Sequence, residues 1–433
     1  MNGYLRPFLG QGDKRRTMKK MSVIIKLIFL FLLVIFFSGC SNSDDGLYFD
    51  DNLYIHENLQ VQLVAGNGHT MFINENGELW VWGHLHGGTE WCTPCMTDSV
   101  YHQAYPFKIL ENVTVAYSGQ FGISSVIIND GDLLVWGHIW EQDFDNVWQR
   151  RTIHFHYPIW VMDDVLAVSV NSSLASVITS SNCLWEVSIS PKPLESGSMF
   201  HQHTIIHIMD DVVDITTGSG FSLAIKSDGS LWSWGVNAVG QLGDGSTIAR
   251  NYPVQIMENV ITISAYGRHA MAITEDGTLW SWGCNFAYQL GNGTPRGGYT
   301  SSPTRVMDNV VAVSTGEAHT LAIRSDGSLW AWGSNMWGQV GDGSDNFLFA
   351  MASNLVELEE RNLWEDDLRH PRPIKILEDV VSISAGHHHS VAITADGSLW
   401  AWGGNHAGQL GDGTTVNSST PRIIEVLQLN GTQ

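Results

Sequence analysis

The sequence predicts an all-β protein, a seven-bladed β-propeller, and three observations carry that expectation. A unit like residues 316–343, GEAHTLAIRSDGSLWAWGSNMWGQVGDG, recurs along the chain. Within it, His319 to Ile323 and Leu329 to Trp332 are short runs of strand formers joined by the hairpin signal Asp326-Gly327. Seven copies follow one another at spacings of 54, 51, 47, 48, 50 and 70 residues, a period that suits small sheets stacked face to face in a ring.

Taken in order, the chain begins with Lys14, Arg15, Arg16, Lys19 and Lys20, followed by an apolar run uninterrupted from Leu27 to Phe37 and then by Ser38-Gly39-Cys40. A charged segment, an apolar segment and small residues in that order make a secretory signal peptide. The apolar run of 11 residues is short of the roughly 20 that span a bilayer. Phe37-Ser38-Gly39-Cys40 resembles a bacterial lipobox, with Phe37 in place of the usual Leu. That resemblance implies a lipoprotein signal peptide over 1–39, lipidation of Cys40 and a polar tether over 40–58. The protein would then sit at the bacterial cell membrane, lipid-anchored and facing out of the cytoplasm.

The propeller is expected over 59–433. Strong copies of W-x-W-G stand at Trp80-Trp82-Gly83, Trp232-Trp234-Gly235, Trp280-Trp282-Gly283, Trp330-Trp332-Gly333 and Trp400-Trp402-Gly403. The second copy keeps only Trp136-Gly137, and the third keeps only Trp185. Hairpin turns track them at Asn76-Gly77, Asp130-Gly131, Asn182-Cys183, Asp228-Gly229, Asp276-Gly277, Asp326-Gly327 and Asp396-Gly397. Asn182-Cys183 is the weak member, because Cys lacks the tolerance of Gly for positive φ. Two strands upstream of each hairpin, such as Thr304 to Met307 and Val310 to Ser314, complete four per blade. The first copy lacks the proline-initiated strand, and Thr420 to Leu427 at the C-terminus reads as its replacement, so the C-terminal strand is expected to complete the first blade and remove the free sheet edges.

The string D-G-x-L-W-x-W-G-x-N-x-x-G-Q-L-G-D-G, at Asp228 to Gly245 and Asp396 to Gly413, resembles the repeat of the regulator of chromosome condensation family. The likeness covers roughly Leu59 to Leu427 and implies seven blades, in agreement with the independent count. In that family, nuclear members act as guanine nucleotide exchange factors and bind chromatin, and secreted bacterial propellers include β-lactamase inhibitory proteins.

The formal charge of the chain is −22; without Met1 to Gly39 it retains 15 basic and 43 acidic residues, or −28. Such a surface repels phosphate backbones, so nucleic acid is not expected as a partner. A basic protein surface suits it better.

Most repeated residues read as architecture. His69, His269, His319 and His389 each precede the first Trp of their copy by 11 residues. They occupy equivalent places on different blades and cannot converge on one ion, so a hydrogen-bonded, blade-holding role is expected. The exception, His387-His388-His389, would be solvated imidazoles on a turn or a weak metal site. The paired Trp residues, two positions apart, should pack between blades. The loop Gly240 to Gly245 has glycines enough for a phosphate cradle, but no Lys follows and the loop recurs, so it reads as a repeated turn.

Function is expected where copies differ. In the first three blades the G-Q-L-G-D-G turn is replaced by His84 to Tyr105, His138 to Tyr157 and Ser188 to Thr204. Their aromatic residues Trp91, Tyr101, Trp140, Phe144, Trp148 and Phe155 are the candidate partner-binding anchors. A further insertion, 344–372, reads as a covering element or a partner-binding arm. Cys92 and Cys95 in the first long loop leave a disulfide, free thiols or, with His84, His86 and His102, a metal pair all open. Cys183 and Cys284 read as isolated thiols.

No nucleophile triad, carboxylate pair or nucleotide fingerprint stands out, and no cofactor is expected. The chain therefore reads as a non-enzymatic, monomeric propeller that binds another protein at the cell envelope through loops on one face. Two alternatives remain: a cell-wall carbohydrate-binding or lyase-like propeller, which a deep acidic pocket beside Trp140 or Trp148 would favour, and a guanine nucleotide exchange factor, which the signal peptide disfavours.

Overall fold

Short segments of β-branched and aromatic residues, separated by two-residue turns, become strands that pair with their sequence neighbours. The computed structural model describes residues 61–84, 102–129, 131–142, 150–171, 174–188, 204–294, 297–344 and 369–424, with backbone alone at 102, 121, 138–142 and 150–157. The chain divides into two units, Met1–Glu57 and Asn58–Gln433, and all of these residues belong to the second.

They form seven four-stranded antiparallel sheets, each ordered as in the chain. Blade 1 holds β1 (Gln62–Ala65), β2 (His69–Ile73), β3 (Leu79–His84) and β4 (His102–Leu110). Blade 2 holds β5 (Val113–Ser118), β6 (Ile123–Ile128), β7 (Asp132–Gln142) and β8 (Arg150–Met162), and blade 3 holds β9 (Val165–Val170), β10 (Leu174–Thr179), β11 (Leu184–Ser188) and β12 (Thr204–Met209). In blade 4 these are β13 (Val212–Thr217), β14 (Phe221–Lys226), β15 (Leu231–Gly235) and β16 (Arg250–Met257), and in blade 5 β17 (Val260–Ala265), β18 (His269–Thr274), β19 (Leu279–Cys284) and β20 (Tyr299–Met307). Blade 6 runs through β21 (Val310–Thr315), β22 (His319–Arg324), β23 (Leu329–Ser334) and β24 (Arg369–Leu377), and blade 7 through β25 (Val380–Ala385), β26 (His389–Thr394), β27 (Leu399–Gly403) and β28 (Ser418–Ile423). The first strand of each sheet touches the first strand of the next, and β25 touches β1, so the ring is closed. Second strands are buried along nearly their whole length, whereas fourth strands such as β16 are largely exposed.

One expectation needs correction. The C-terminal strand does not complete the first blade: β28 pairs with β27 in blade 7, and blade 1 takes its own fourth strand from His102–Leu110. The cause is a frame shift of one strand. A proline-containing strand such as β20 pairs backwards with β19 of its preceding hairpin rather than opening the next sheet, so every blade, the last included, is filled by contiguous chain.

The W-x-W-G motif and the G-Q-L-G loop work as a pair across four of the seven seams. The second Trp is buried and donates its indole N–H to the backbone carbonyl of the loop glutamine in the preceding blade: Trp282 to Gln241 at 3.0 Å, Trp332 to Gln289 and Trp402 to Gln339 at 2.9 Å, and Trp82 to Gln409 at 3.0 Å. The glycine that follows Val340 is required because a Cβ on Gly341 (φ +88°) would stand 2.7 Å from the Trp402 indole nitrogen. Likewise a Cβ on Gly333 (φ +102°) would stand 2.6 Å from the Ala318 carbonyl oxygen. A buried Asn organises each loop from within; Asn405, for example, donates to Asp412 and accepts from Leu410 N–H. The loop is thus a repeated structural turn. Blades 1 to 3 lack it, and the blades that follow them lack the standard anchor: Val187 replaces the second Trp in blade 3, and Trp234 in blade 4 donates to the Glu186 side chain at 2.8 Å instead.

The repeated histidines lock three of these seams and the one between blades 1 and 2. His269 Nε2 lies 3.1 Å from Thr320 Oγ1, His319 Nε2 3.0 Å from Ser390 Oγ, and His389 Nε2 2.9 Å from Thr70 Oγ1, each in the next blade. His69 meets Ser124 at 3.0 Å in the same way. Thr320, Ser390 and Thr70 donate their own protons to the carbonyls of Gln289, Gln339 and Gln409. Their oxygens therefore accept, which assigns the imidazole proton to Nε2. Burial pushes His69 down to about 4 and His269 and His319 down to about 3, from 6.5, so the rings are neutral.

The turn in blade 3 is also placed one residue off by the sequence reading. Asn182, not Cys183, takes the left-handed conformation (φ +61°) that Gly229 takes in blade 4. Asn tolerates that region, and Cys183 falls at the position of Ser230.

Candidate functional site

In an antiparallel meander the connection from first to second strand and the connection from third to fourth emerge on the same face. Here His84 N–H donates to Gly68 O and Gly404 N–H to His388 O, tying the two kinds of connection together. The three long replacements expected to bind a partner join third to fourth strands and so begin and end on this face. In blade 2, β7 and β8 stay paired past Gly137, from His138↔His154 to Gln142↔Arg150. Five further pairs at about 3.3 Å per residue make a ribbon projecting roughly 17 Å. Trp140 is on it, opposite Thr152, and Phe155 pairs with Gly137 at its base. Trp91, Tyr101, Phe144 and Trp148 lie outside the described residues, as do Cys40, Cys92, Cys95 and 345–368 of the insertion.

A concave site on this face, at the junction of blades 6, 7 and 1, escaped the sequence reading. A cavity of about 340 Å³ is lined by Asn67, Gly68, Trp337, His387, His388, His406 and Gln409. The turn after β25 supplies His387 and His388, whose ring centroids are 4.0 Å apart. Trp337 comes from the loop after β23, because Trp337 N–H donates to Gln339 Oε1 and the buried Asn335 accepts from Val340 N–H. Its ring centroid lies 5.6 Å from that of His388 and 6.2 Å from that of His406. Asn67 and Gly68 belong to the first turn of blade 1, held to blade 7 by His387 N–H donating to Gly66 O.

These imidazoles are not the freely solvated groups expected of the His387-His388-His389 run. His387 and His388 are half-buried. Burial, with the His406 charge beside it, lowers His387 to about 4; burial and then His387 and His406 lower His388 to about 3. His389 is fully buried and is engaged with Thr70. Near neutral pH His387 and His388 therefore present uncharged aromatic rings beside the amides of Asn67 and Gln409. Such a lining can stack on a planar or apolar group and exchange hydrogen bonds with it. Among the described residues its lining offers no carboxylate or hydroxyl nucleophile. The signal missed in the sequence was substitution inside intact G-Q-L-G loops: Ala238, Phe286, Met336 and His406 occupy one loop position, and Val239, Ala287, Trp337 and Ala407 the next.

Comparison with known proteins follows the same geometry. The RCC1-like domain profile matches residues 191–433, and the regulator of chromosome condensation (RCC1) repeat matches 60–84. The human E3 ubiquitin-protein ligase HERC2 is 42% identical over 66 residues, 15% of this chain and 1% of that protein. The ultraviolet-B receptor UVR8 of Arabidopsis thaliana is 41% identical over 54 residues, 12% of each chain. These curated relatives are thus matched over a small part of their length. Among solved structures, human WBSCR16 superposes with a TM-score of 0.61 at 20% identity, covering 80% of this chain and 93% of that one, a likeness of fold.

Proposed function

Because the chain belongs to the RCC1-like family of β-propellers, we propose that it is a lipid-anchored, extracytoplasmic interaction module that holds another protein against one face of the ring. One observation carries this reading: departures from the repeat collect on the face that bears the first-to-second and third-to-fourth connections. The projecting β7–β8 ribbon is there, with the His- and Trp-lined cavity at blades 6, 7 and 1. The repeated His, Trp, Gln and Gly residues are consumed in holding blades together, which leaves the irregular residues to select a partner. A net charge of −28 after removal of 1–39 favours a basic partner surface.

Capture from envelope extract tests the face. Trp140→Ala and Trp337→Ala with His388→Ala should reduce recovery of the partner, while Arg305→Ala on the opposite face should not; equal capture by all variants would remove the assignment. Labelling with an alkynyl fatty acid tests the anchor. Label should enter the wild-type chain and be lost in Cys40→Ser, and unlabelled wild type would refute lipidation.

A further inference from the structure

On the face opposite the cavity, blades 1 to 6 each have a small cluster of three positions: the residue after the hairpin turn, and two residues three apart at the end of the fourth strand. In blade 1 these are Glu78, Lys108 and Glu111, with Lys108 Nζ 2.6 and 2.8 Å from the two carboxylates. In blade 2 they are Asp132, Trp160 and Asp163, and Trp160 donates to Asp132. Blades 4, 5 and 6 carry Ser230, Gln255, Glu258; Thr278, Arg305, Asp308; and Ser328, Lys375, Glu378. The middle residue there is an amide or a permanent cation, and neither is a good ligand for a transition metal.

Blade 3 keeps the acidic third member and differs at the first two. Its three residues are Cys183, His207 and Asp210, and their ligand atoms all lie within 4.8 Å of one another. Cys183 Sγ is 3.2 Å and His207 Nε2 2.8 Å from the same oxygen, Asp210 Oδ1. Among the described residues this is the one such convergence of His, Cys and carboxylate groups. The His207 ring is steadied edge-on by Trp185, its register partner across the sheet, at 4.9 Å and 69°. It lies at the surface, with His207 and Asp210 side chains 41% and 65% exposed.

We infer that Cys183, His207 and Asp210 form a surface site for a zinc-class divalent cation, bound by one thiolate, one imidazole and one carboxylate with a fourth position open. Tetrahedral zinc with bonds of about 2.0 to 2.3 Å sets its ligand atoms roughly 3.3 to 3.7 Å apart. The cluster reaches that spacing by small rotations of exposed side chains. Binding is balanced by protons: the Cys183 thiol loses its proton to solvent, and His207 binds through a proton-free Nε2 with its ring proton on Nδ1. Thiolate and imidazole together select zinc, cobalt or copper over magnesium and calcium.

Cobalt(II) titration of the full chain, reduced and metal-free, is the test. Wild type should develop a thiolate-to-cobalt absorption band saturating at a stoichiometry one equivalent higher than Cys183→Ser, bleached on zinc addition, with about one proton released per ion. Cys183→Ser should lose that increment, and His207→Gln and Asp210→Asn should weaken the same increment at least tenfold. Circular dichroism establishes that each variant is folded. Cys183→Asp, the residue type of blade 2 at this position, should restore zinc binding by calorimetry without the thiolate band. Identical titrations of wild type and Cys183→Ser would overturn the site and leave only a local ion pair like those of the other blades.

Discussion

Replacing His319 by Gln tests the seam network most directly, because it couples stability to pH in a way that simple loss of packing does not. In the native ring His319 is fully buried, bonded to Ser390, and held neutral down to about 3. In the unfolded chain it would titrate at 6.5. Below 6.5 the unfolded state takes up a proton that the folded state refuses, so this residue's contribution is fully present above 6.5. It is lost as pH falls through 6.5 towards 3. Between pH 7 and pH 5 the loss is about 2 kcal/mol for a histidine of this kind. His319→Gln also leaves a poorly filled space and a disturbed Ser390, at a cost of roughly 2 to 4 kcal/mol at pH 7. The variant should therefore be clearly less stable than wild type at pH 7, and the difference should shrink by about 2 kcal/mol at pH 5. Urea unfolding followed by Trp fluorescence at both pH values measures the two gaps. If they are equal, His319 is not a buried neutral base, and the proton assignment across the seam is wrong.

Four further outcomes follow from the same structure. Gly341→Ala places a Cβ 2.7 Å from the Trp402 indole nitrogen at φ +88°, so thermal unfolding should show a loss of about 2 kcal/mol or more. Gly298→Ala, with nothing within 4 Å of its Cβ, should stay within about 0.5 kcal/mol of wild type. Trp402→Phe removes an indole donor from the Gln339 carbonyl while Ser390 continues to donate there, and should cost about 1 kcal/mol in denaturant unfolding. Glu186→Ala leaves the nearly buried Trp234 N–H without its partner and should cost roughly 1 to 3 kcal/mol by the same measurement.

The ring was legible in the sequence because its devices are short and repeated. Trp pairs two residues apart and Asp-Gly turns mark one hairpin per copy, and that count alone fixes seven sheets. The phase of the sheets was not legible. Pro303 begins a run that follows one hairpin and precedes another, and only hydrogen-bond partners decide which it joins; the register Leu279↔Met307 settles it in favour of the earlier one. The blade-holding histidines were anticipated from their equivalent positions, but not the chain from imidazole to hydroxyl to glutamine carbonyl, since its members come from stretches 31 to 71 residues apart. The cavity was invisible for a related reason. Trp337, His388 and Asn67 are brought together by closure of the ring, and no local pattern joins residues of the sixth, seventh and first copies. Cys183 looked solitary because its neighbours His207 and Asp210 arrive on the far strand of the sheet.

Closure without strand exchange has a mechanical consequence. The first and seventh blades meet through side-chain bonds, Ala65 N–H on Ser384, Thr70 on His389 and Trp82 on the Gln409 carbonyl, and through isolated backbone bonds, His387 N–H to Gly66 O and Gly413 N–H to Ala104 O. Among the described residues no backbone ladder crosses that boundary. A load pulling the two ends of the domain apart would act on this joint first and shear a handful of bonds at once, after which blades could peel away singly. A stapled disulfide across the joint would show itself in force spectroscopy as the loss of the earliest rupture.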